Sequence, residues 1–176
     1  MMVAPLPGER GAARAQDRAE PMPSGELAGT PAPLTEPGET FSLRLRLTDA
    51  EIIDTAGRLH DHNPLHHDLG AARAAGFPGL IASGAHTGAI FMGMTATHFS
   101  QPAPDGDARS VLGLGFDIRF RAVVVADEEI VMRWTVQNST WKPSLKGWVT
   151  EATGDVRTPR GIVLTGRATL LLRRPT

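Results

Sequence analysis

The chain has 176 residues, with 18 lysines and arginines against 19 acidic residues and no cysteine. This length most simply makes one domain, and the near-neutral charge argues against a dedicated binder of nucleic acid or of an anionic membrane. The lack of cysteine excludes disulfides, thiolate metal sites and cysteine nucleophiles, and no apolar run is long enough to cross a bilayer. The N-terminus also lacks the apolar block of a secretion signal, so a cytoplasmic location is the default prediction.

Residues 1–38 form a segment rich in Pro, Gly and Ala that we predict to be a flexible tail. Proline at this density blocks helices and sheet ladders, and little apolar surface is available to offset the entropy lost on ordering. The segment could instead lie across a partner subunit, an alternative that the sequence leaves open. Residues 39–176 show no internal repeat and are predicted to be a single domain.

The first part of this domain is predicted to be a strand followed by two helices. Phe41–Leu47 alternates apolar and polar residues, which is typical of a half-buried strand. A capping box at Thr48 starts a helix that runs to about Leu59. After a polar loop, Leu69–Ala75 predicts a short helix that Gly76 closes in a left-handed conformation.

A longer helix is predicted from Ser83 to about His98. It carries few charges and should therefore be buried nearly all round. Phe91, Met92 and Met94 lie on it and are candidates to bound a pocket, although the sequence does not decide which of them face inward.

The chain after the polar loop at residues 100–110 is predicted to be β structure. Val111–Ala126 has the pattern of one long strand, with bends or bulges expected at Gly113 and Gly115. Further strands are predicted at residues 130–137, near 148–152 and at 161–172, with turns or loops at 127–129, 138–146 and 154–160. This order fits an α+β arrangement in which a twisted antiparallel sheet wraps around one buried helix.

The loop His60–Asp68 concentrates the residues that could do chemistry. Asp61 and His66 lie five residues apart, and an acid near an imidazole can hold a water molecule between them, as general acid/base catalysis requires. Pro64 stiffens the loop and would present the two side chains at a reproducible distance. The alternative is that they cap turns, because Asp and Asn63-Pro64 are common in turns.

The other polar residues of this loop also have structural interpretations. Asn63 could orient a substrate carbonyl, but a hydrogen bond to the loop backbone is the commoner role for such a residue. His67 and Asp68 could form a second acid/base pair, whereas Asp68 alone fits the N-cap of the next helix. The many histidines raise the possibility of a metal site, but no familiar zinc spacing is present and Pro64 prevents a helical i,i+4 pair.

Ser83-Gly84 begins the long apolar helix and is the natural site for an oxygen anion. The unpaired N–H groups of the first turn and the helix dipole both favour negative charge there. Glycine at position 84 would let a carbonyl oxygen approach its amide closely. Ser83 also fits the N-cap, which is compatible, but its surroundings lack the elbow pattern of a serine nucleophile.

Basic residues in the strand region suggest a contact with phosphate. Arg119, Arg121 and Arg133 lie in strand patterns, and Lys142 and Lys146 lie in the loop that follows. Any of them could meet the phosphates of a cofactor tail, but a solvated sheet face explains them equally well. No site is assigned to them.

Two segments resemble a known family. The sequence Asp-His-Asn-Pro-Leu-His at residues 61–66 resembles the Asp-x-Asn-Pro-x-His loop of the MaoC-like acyl dehydratases, which include the (R)-specific enoyl-CoA hydratases. Residues 80–87 are similar to the start of the family's central helix, and the likeness continues more loosely to Leu172. The resemblance implies a hot-dog fold, an antiparallel sheet wrapped around a central helix. Because a lone copy leaves one sheet face open, we expect a homodimer or larger homo-oligomer.

The resemblance also implies an activity, the reversible hydration of an enoyl-CoA thioester. Asp61 and His66 would activate water, the Gly84 amide would be the oxyanion donor, and Asn63 and Ser83 would contact the substrate. The CoA thioester would be the substrate, with no metal or redox cofactor. An acyl-CoA thioesterase on the same fold and a non-catalytic acyl-CoA-binding subunit remain as alternatives.

Two positions depart from the family pattern. His60 stands where many members have Gly or another small residue. Ala126-Asp127-Glu128 replaces the turn Pro-Gly-Asp expected between two strands. The first departure concerns the conformation of the candidate catalytic loop, and the second concerns the fold.

Overall fold

The computed structural model describes residues 30–103 and 106–175. Residues 1–29 of the predicted flexible segment 1–38 therefore lie outside the described residues. Residues 31–38 belong to the compact unit that begins at Pro31, and Leu34 and Thr35 are buried in it. The described domain thus begins before residue 39, because Leu34 supplies an apolar anchor within the Pro-rich stretch.

A five-stranded antiparallel sheet forms the body of the domain. In spatial order its strands are β1 (Thr40–Leu45), β5 (Ile130–Lys142), β6 (Gly147–Thr158), β7 (Gly161–Arg173) and β3 (Ser110–Phe120). A separate two-stranded sheet pairs β2 (Ile81–Ala82) with β4 (Val124–Val125). The predicted α+β class with an antiparallel sheet is confirmed.

Three α-helices connect the first strand to the rest of the sheet. They are α1 (Asp49–Arg58), α2 (Leu69–Ala74) and α3 (Gly84–Phe99), with a 3₁₀ helix at Pro64–His66. The predicted capping box starts α1: the Thr48 hydroxyl accepts from the Glu51 N–H, and the Glu51 carboxylate accepts from the Thr48 N–H. Gly76 has a φ of 89° after α2, as predicted. None of the helices in the described ranges is long and apolar enough to cross a membrane.

Helix α3 packs against the inner face of the five-stranded sheet. The Phe91 ring stacks on the Trp134 indole with the ring centroids 4.1 Å apart, and Trp134 Nε1–H donates to the Phe91 carbonyl at 2.8 Å. Facing Phe91, the sheet carries Gly154 and Gly166, where an added Cβ atom would lie 2.7 and 2.8 Å from the Phe91 ring. Glycine at these two positions therefore lets the helix approach the sheet closely.

Helix α3 is less buried than its apolar sequence predicts. Its side opposite the sheet carries a stripe of exposed small residues, namely Ala85, Ala89, Gly93, Ala96 and Thr97. The prediction of a helix buried nearly all round is wrong for the single chain, because the described residues cover the helix mainly from the sheet side. The sheet still wraps around α3 in the hot-dog manner.

The strand region differs from its prediction in three places. The turn predicted at 154–160 is mostly strand, because β6 runs to Thr158 and pairs with β7 on one side and β5 on the other. The pattern at 111–126 is two strands, because the chain leaves the large sheet after Phe120 and β4 pairs with β2 instead. The bulge expected near Gly113 and Gly115 is present. The loop predicted at 138–146 is mostly strand, since its polar residues pair across β5 and β6; one such pair joins the hydroxyls of Ser139 and Thr150 at 2.8 Å.

Arg109 ties the end of α3 to the chain before β1. Its guanidinium donates to four backbone carbonyls, those of Leu34, His98, Gln101 and Pro102. Its Nη1 also lies 3.1 Å from Glu39 Oε1. Burial disfavours the Glu39 carboxylate, but hydrogen bonds from Thr35, His98 and Arg109 and the charge of Arg109 outweigh it, so the pKa of Glu39 lies below its ordinary value.

We expect Arg109→Met to lower the free energy of unfolding by about 3 kcal/mol, because Glu39 would stay buried without its cation. Arg119→Met is the matched control, since that exposed guanidinium should contribute less than about 0.5 kcal/mol. Urea denaturation followed by circular dichroism measures both. Since the folded-state pKa of Glu39 is lowered, its contribution is present at neutral pH and is lost as pH falls through that pKa. The Arg109 variant should show a smaller loss, because only the hydrogen bonds from Thr35 and His98 remain to lower the pKa. Equal stability of the two variants would contradict the prediction.

Candidate active site

The loop between α1 and α2 brings Asp61 and His66 together. Asp61 Oδ2 lies 3.4 Å from His66 Nε2, and the His66 side chain is only 8% exposed while that of Asp61 is 33% exposed. The backbone holds the loop in place, because the Asp61 N–H donates to the Ala56 carbonyl at 2.9 Å and the Asn63 N–H donates to Asp61 Oδ1 at 3.2 Å. One carboxylate oxygen is thus used to shape the loop, and the other faces the imidazole.

The backbone fixes the tautomer of His66. Its Nδ1 lies 2.7 Å from the Ile81 carbonyl oxygen, which can only accept, so Nδ1 carries the proton. In the neutral ring, Nε2 then presents a lone pair toward Asp61 Oδ2. Two acceptors at this distance cannot bond directly to each other, but a water molecule can donate one O–H to each. The pair is therefore suited to bind a water molecule and to remove a proton from it.

Three other polar side chains of the loop, those of Asn63, His67 and Asp68, have backbone partners. Asn63 Oδ1 accepts from the Leu65 N–H at 3.1 Å and caps the 3₁₀ helix. His67 Nε2 lies 2.6 Å from the Asp61 carbonyl oxygen, to which it donates. Asp68 accepts from the first turn of α2 as its N-cap. His67 and Asp68 therefore do not form a second acid/base pair, and the N-cap interpretation of Asp68 is confirmed.

The N-terminus of α3 provides the second part of the candidate site. Ser83 is its N-cap, and the Ser83 hydroxyl accepts from the His86 N–H at 3.1 Å. The Thr87 N–H donates to the Ser83 carbonyl. The N–H of Gly84 has no acceptor among the described residues, as expected for the first residue of a helix. This N–H lies at the positive end of the helix dipole, so it can donate to a bound oxygen atom and stabilise negative charge on it.

One cavity connects the two parts of the site. Its volume is about 270 Å³, and its lining includes His66, Gly84 and Thr87. Its other walls are apolar and include Phe120, Val123 and Val163. Asp61 does not line the cavity itself but borders it through its contact with His66. The structure therefore brings together three predicted site residues, Asp61, His66 and Gly84, around a small apolar space.

The part of α3 expected to bound a pocket is not the part that does so here. Phe91 is fully buried against Trp134 in the core. Met94 lines a different space of about 410 Å³ beside β1. The cavity next to His66 is bounded by the first turn of α3, because that end of the helix lies beside the loop that carries His66.

Phe120 is a site residue that the sequence did not single out. A Cβ atom added at Gly84 would lie 3.0 Å from Phe120 Cζ, so the ring occupies the space above the glycine. Phe120 is the last residue of β3 and lies 36 positions from Gly84 in the chain. Nothing in the alternating pattern of the strand distinguishes it, and only the fold brings it to the helix.

The arginines considered as phosphate ligands lie outside this site. Arg119, Arg121 and Arg133 line an open pocket on the outer face of the sheet, with a volume of about 640 Å³. Trp134, next to Arg133, faces α3, and alternation along the strand turns Arg133 away from the helix. In residues 30–103 and 106–175, no group of three or more His, Asp and Glu side chains is placed to hold a metal ion. That the protein needs no cofactor remains a prediction.

The family model for a MaoC-like domain matches residues 33–155. A comparison with curated proteins gave no match. Similar solved structures include the unliganded R-hydratase PhaJ1 from Pseudomonas aeruginosa, with a TM-score of 0.66 and 22% identity over 80% of this chain and 84% of that one. The (R)-hydratase from A. caviae involved in PHA biosynthesis has a TM-score of 0.65 and 23% identity over 82% of this chain and 100% of that one. The MaoC-like dehydratase from Rhodospirillum rubrum has a TM-score of 0.64 and 27% identity over 81% of this chain and 95% of that one.

Proposed function

This chain belongs to the MaoC-like domain family, and from that premise we propose that it is a hydro-lyase that reversibly adds water to the double bond of an enoyl-CoA thioester. The observation that carries the proposal is the pair of proton acceptors, Asp61 Oδ2 and His66 Nε2, which lie 3.4 Å apart beside a cavity that reaches Gly84. A hydration site needs a base for water and a donor for the carbonyl that becomes an enolate. This site contains both.

In the proposed reaction, the acid/base pair holds the attacking water. One of the two acceptors takes a proton as the water oxygen bonds to C3 of the enoyl group. The electrons of the double bond move toward the thioester carbonyl, whose oxygen gains negative charge. A proton from the pair then reaches C2, so the net change is addition of one water molecule, and the same steps in reverse eliminate it.

The thioester oxygen would bind at the start of α3. The Gly84 N–H, at the start of the helix, would donate to that oxygen, and such backbone donors act without reorganising during the reaction. Ser83 holds the first turn in place and would contact the substrate at its side. We propose that Asn63 acts mainly by fixing the 3₁₀ helix, with its amide nitrogen available to the substrate.

The test is an assay of purified protein with straight-chain trans-2-enoyl-CoA thioesters of different lengths. We expect loss of the enoyl absorbance without release of free thiol, and an unchanged rate after treatment with a metal chelator. Thiol release without hydration would replace the proposal with a thioesterase. Binding of acyl-CoA with neither reaction would replace it with a non-catalytic subunit.

We also propose that two copies associate through the edge strand β3. Leu112 and Leu114 of this strand are 57% and 51% exposed, and a long edge strand with uncovered apolar side chains favours association. Leu114→Arg is expected to convert a dimer to a monomer in sedimentation velocity, because it places charge in the interface. Ile162→Arg, at an exposed apolar residue on the outer face of the sheet, should leave the dimer intact. A wild-type monomer at micromolar concentration would contradict this proposal.

A further inference from the structure

We propose that Phe120 limits the length of the acyl group, so that this protein acts on short enoyl thioesters; this inference rests on the proposed function. Phe120 is the last residue of β3, where the chain leaves the large sheet. Its ring lies over the N-terminal turn of α3, beside the candidate oxyanion donor. An acyl thioester bound at the Gly84 N–H would therefore contact the Phe120 ring or displace it.

The contacts of the ring define what it fills. The Cβ position of Gly84 lies 3.0 Å from Phe120 Cζ and 3.2 Å from both Cε atoms, and that of Gly88 lies 3.7 Å from Cζ. Residues four apart stand one above the other on the same helix face. The tip of the ring thus covers a strip of bare helix backbone that begins at the candidate oxyanion donor.

The ring also crowds position 84. An alanine there would press its methyl group against the ring at a distance that requires the ring to move. The sequence alone suggested that this glycine makes room for a carbonyl oxygen. The structure shows a phenyl ring at the mouth of the same space, so ring and substrate compete there.

The cavity behind the ring indicates the class of acyl group. Apart from His66 and the α3 N-terminus, its walls are hydrocarbon, including Val123 and Val163, and no lysine or arginine of the described part of the chain lines it. These walls fit a hydrocarbon chain rather than a dicarboxylic one. Its volume of about 270 Å³ is below the roughly 300–1,000 Å³ usual for ligand pockets, so a short chain fills it.

Phe120 is also free enough to act as an adjustable wall. In the single chain it is 56% exposed, whereas Phe91 and Phe99 are fully buried in the core. An exposed side chain changes rotamer at little cost, so a bound thioester can displace the ring tip from Gly84. A chain that extends past the ring must displace it further, and this cost rises with chain length.

The experiment compares Phe120→Ala and Phe120→Trp with the wild type on trans-2-enoyl-CoA thioesters of four and eight carbons. We expect the ratio of kcat/KM for the longer over the shorter substrate to rise at least about tenfold in Phe120→Ala and to fall in Phe120→Trp, the order of effect that a few methylene groups produce in an apolar pocket. Ile162→Ala is the matched control, because it removes an exposed apolar side chain away from the cavity. Its ratio should stay within twofold of the wild type.

Binding separates this inference from the proposed function. Calorimetry with saturated butanoyl-CoA and octanoyl-CoA gives the same chain-length ratio without catalysis. Suppose that hydration is absent, but that the affinity for octanoyl-CoA relative to butanoyl-CoA rises at least tenfold from the wild type to Phe120→Ala. The proposed function then fails and the role of Phe120 stands. Variants that fold, by circular dichroism, and keep the wild-type ratio within twofold in both assays overturn the inference.

Discussion

Replacing Asp61 with asparagine is expected to lower kcat for hydration by about 10²–10⁴-fold, the usual contribution of a general base or acid. The amide keeps the size of the carboxylate and can still accept from the Asn63 N–H at Oδ1. At Oδ2, however, an NH₂ group would face His66 Nε2 and donate to it, where the carboxylate and the imidazole would otherwise share a water molecule. Steady-state kinetics on the enoyl absorbance measures the loss, and KM should change only a few fold.

Asp54→Asn is the matched control for the charge change. Asp54 is an exposed carboxylate on the same helix and loop unit, and it pairs with Arg58 one turn away. Its loss should change neither kcat nor the melting temperature appreciably, since exposed ion pairs of this kind contribute about 0.3–0.5 kcal/mol. Near-normal turnover in Asp61→Asn would remove Asp61 from the mechanism.

The parts of the site that the sequence predicts correctly are those set by local geometry. The five-residue spacing of Asp61 and His66 and the stiff Asn63-Pro64 step lie within one loop, so their contact follows from a short stretch of chain. The N-cap at Ser83 is equally local, because it depends on the next few N–H groups. These features can be deduced before the fold is known.

The parts that the sequence does not predict depend on distant residues. The carbonyl that fixes the His66 tautomer belongs to Ile81, 15 positions away, on a strand of only two residues. The ring over Gly84 belongs to Phe120 at the end of β3. The predicted lengths of β5 and β6 are wrong for the same reason. Trp141 and Trp148 pair across the hairpin, and this pairing extends both strands through residues that are polar enough to resemble a loop.

The two departures from the family pattern have a common physical explanation. His60 has a φ of 55° and Asp127 a φ of 62°, both in the left-handed region that glycine adopts without strain. By the resemblance, the first position has glycine or another small residue in many members, and the second has the glycine of the Pro-Gly-Asp turn. The chain keeps both turns with other residues, and Asp is among the side chains that tolerate this conformation best. The turns at residues 60 and 127 therefore form without glycine at those positions.

Replacing His66 with asparagine is expected to lower kcat by about 10²–10⁴-fold while the protein stays folded. The asparagine NH₂ group can take over the hydrogen bond that His66 Nδ1–H donates to the Ile81 carbonyl. It cannot replace Nε2, the atom that faces Asp61. Alanine is the less suitable change, because it would leave the buried carbonyl without a donor and lower stability as well. Kinetics and thermal unfolding of the asparagine variant together separate the two effects.

The double variant of Asp61→Asn and His66→Asn tests whether the two residues act on one water molecule. Independent roles would multiply the two single losses, because effects at uncoupled sites add in free energy. If both acceptors hold the same water, either change already disables it, and the double variant should lose no more than about threefold beyond the more damaged single variant. The 3.4 Å separation of Asp61 Oδ2 and His66 Nε2 favours the second result, since one water molecule beside the pair can donate to both atoms. Multiplicative losses would mean that the two side chains act at different atoms of the substrate.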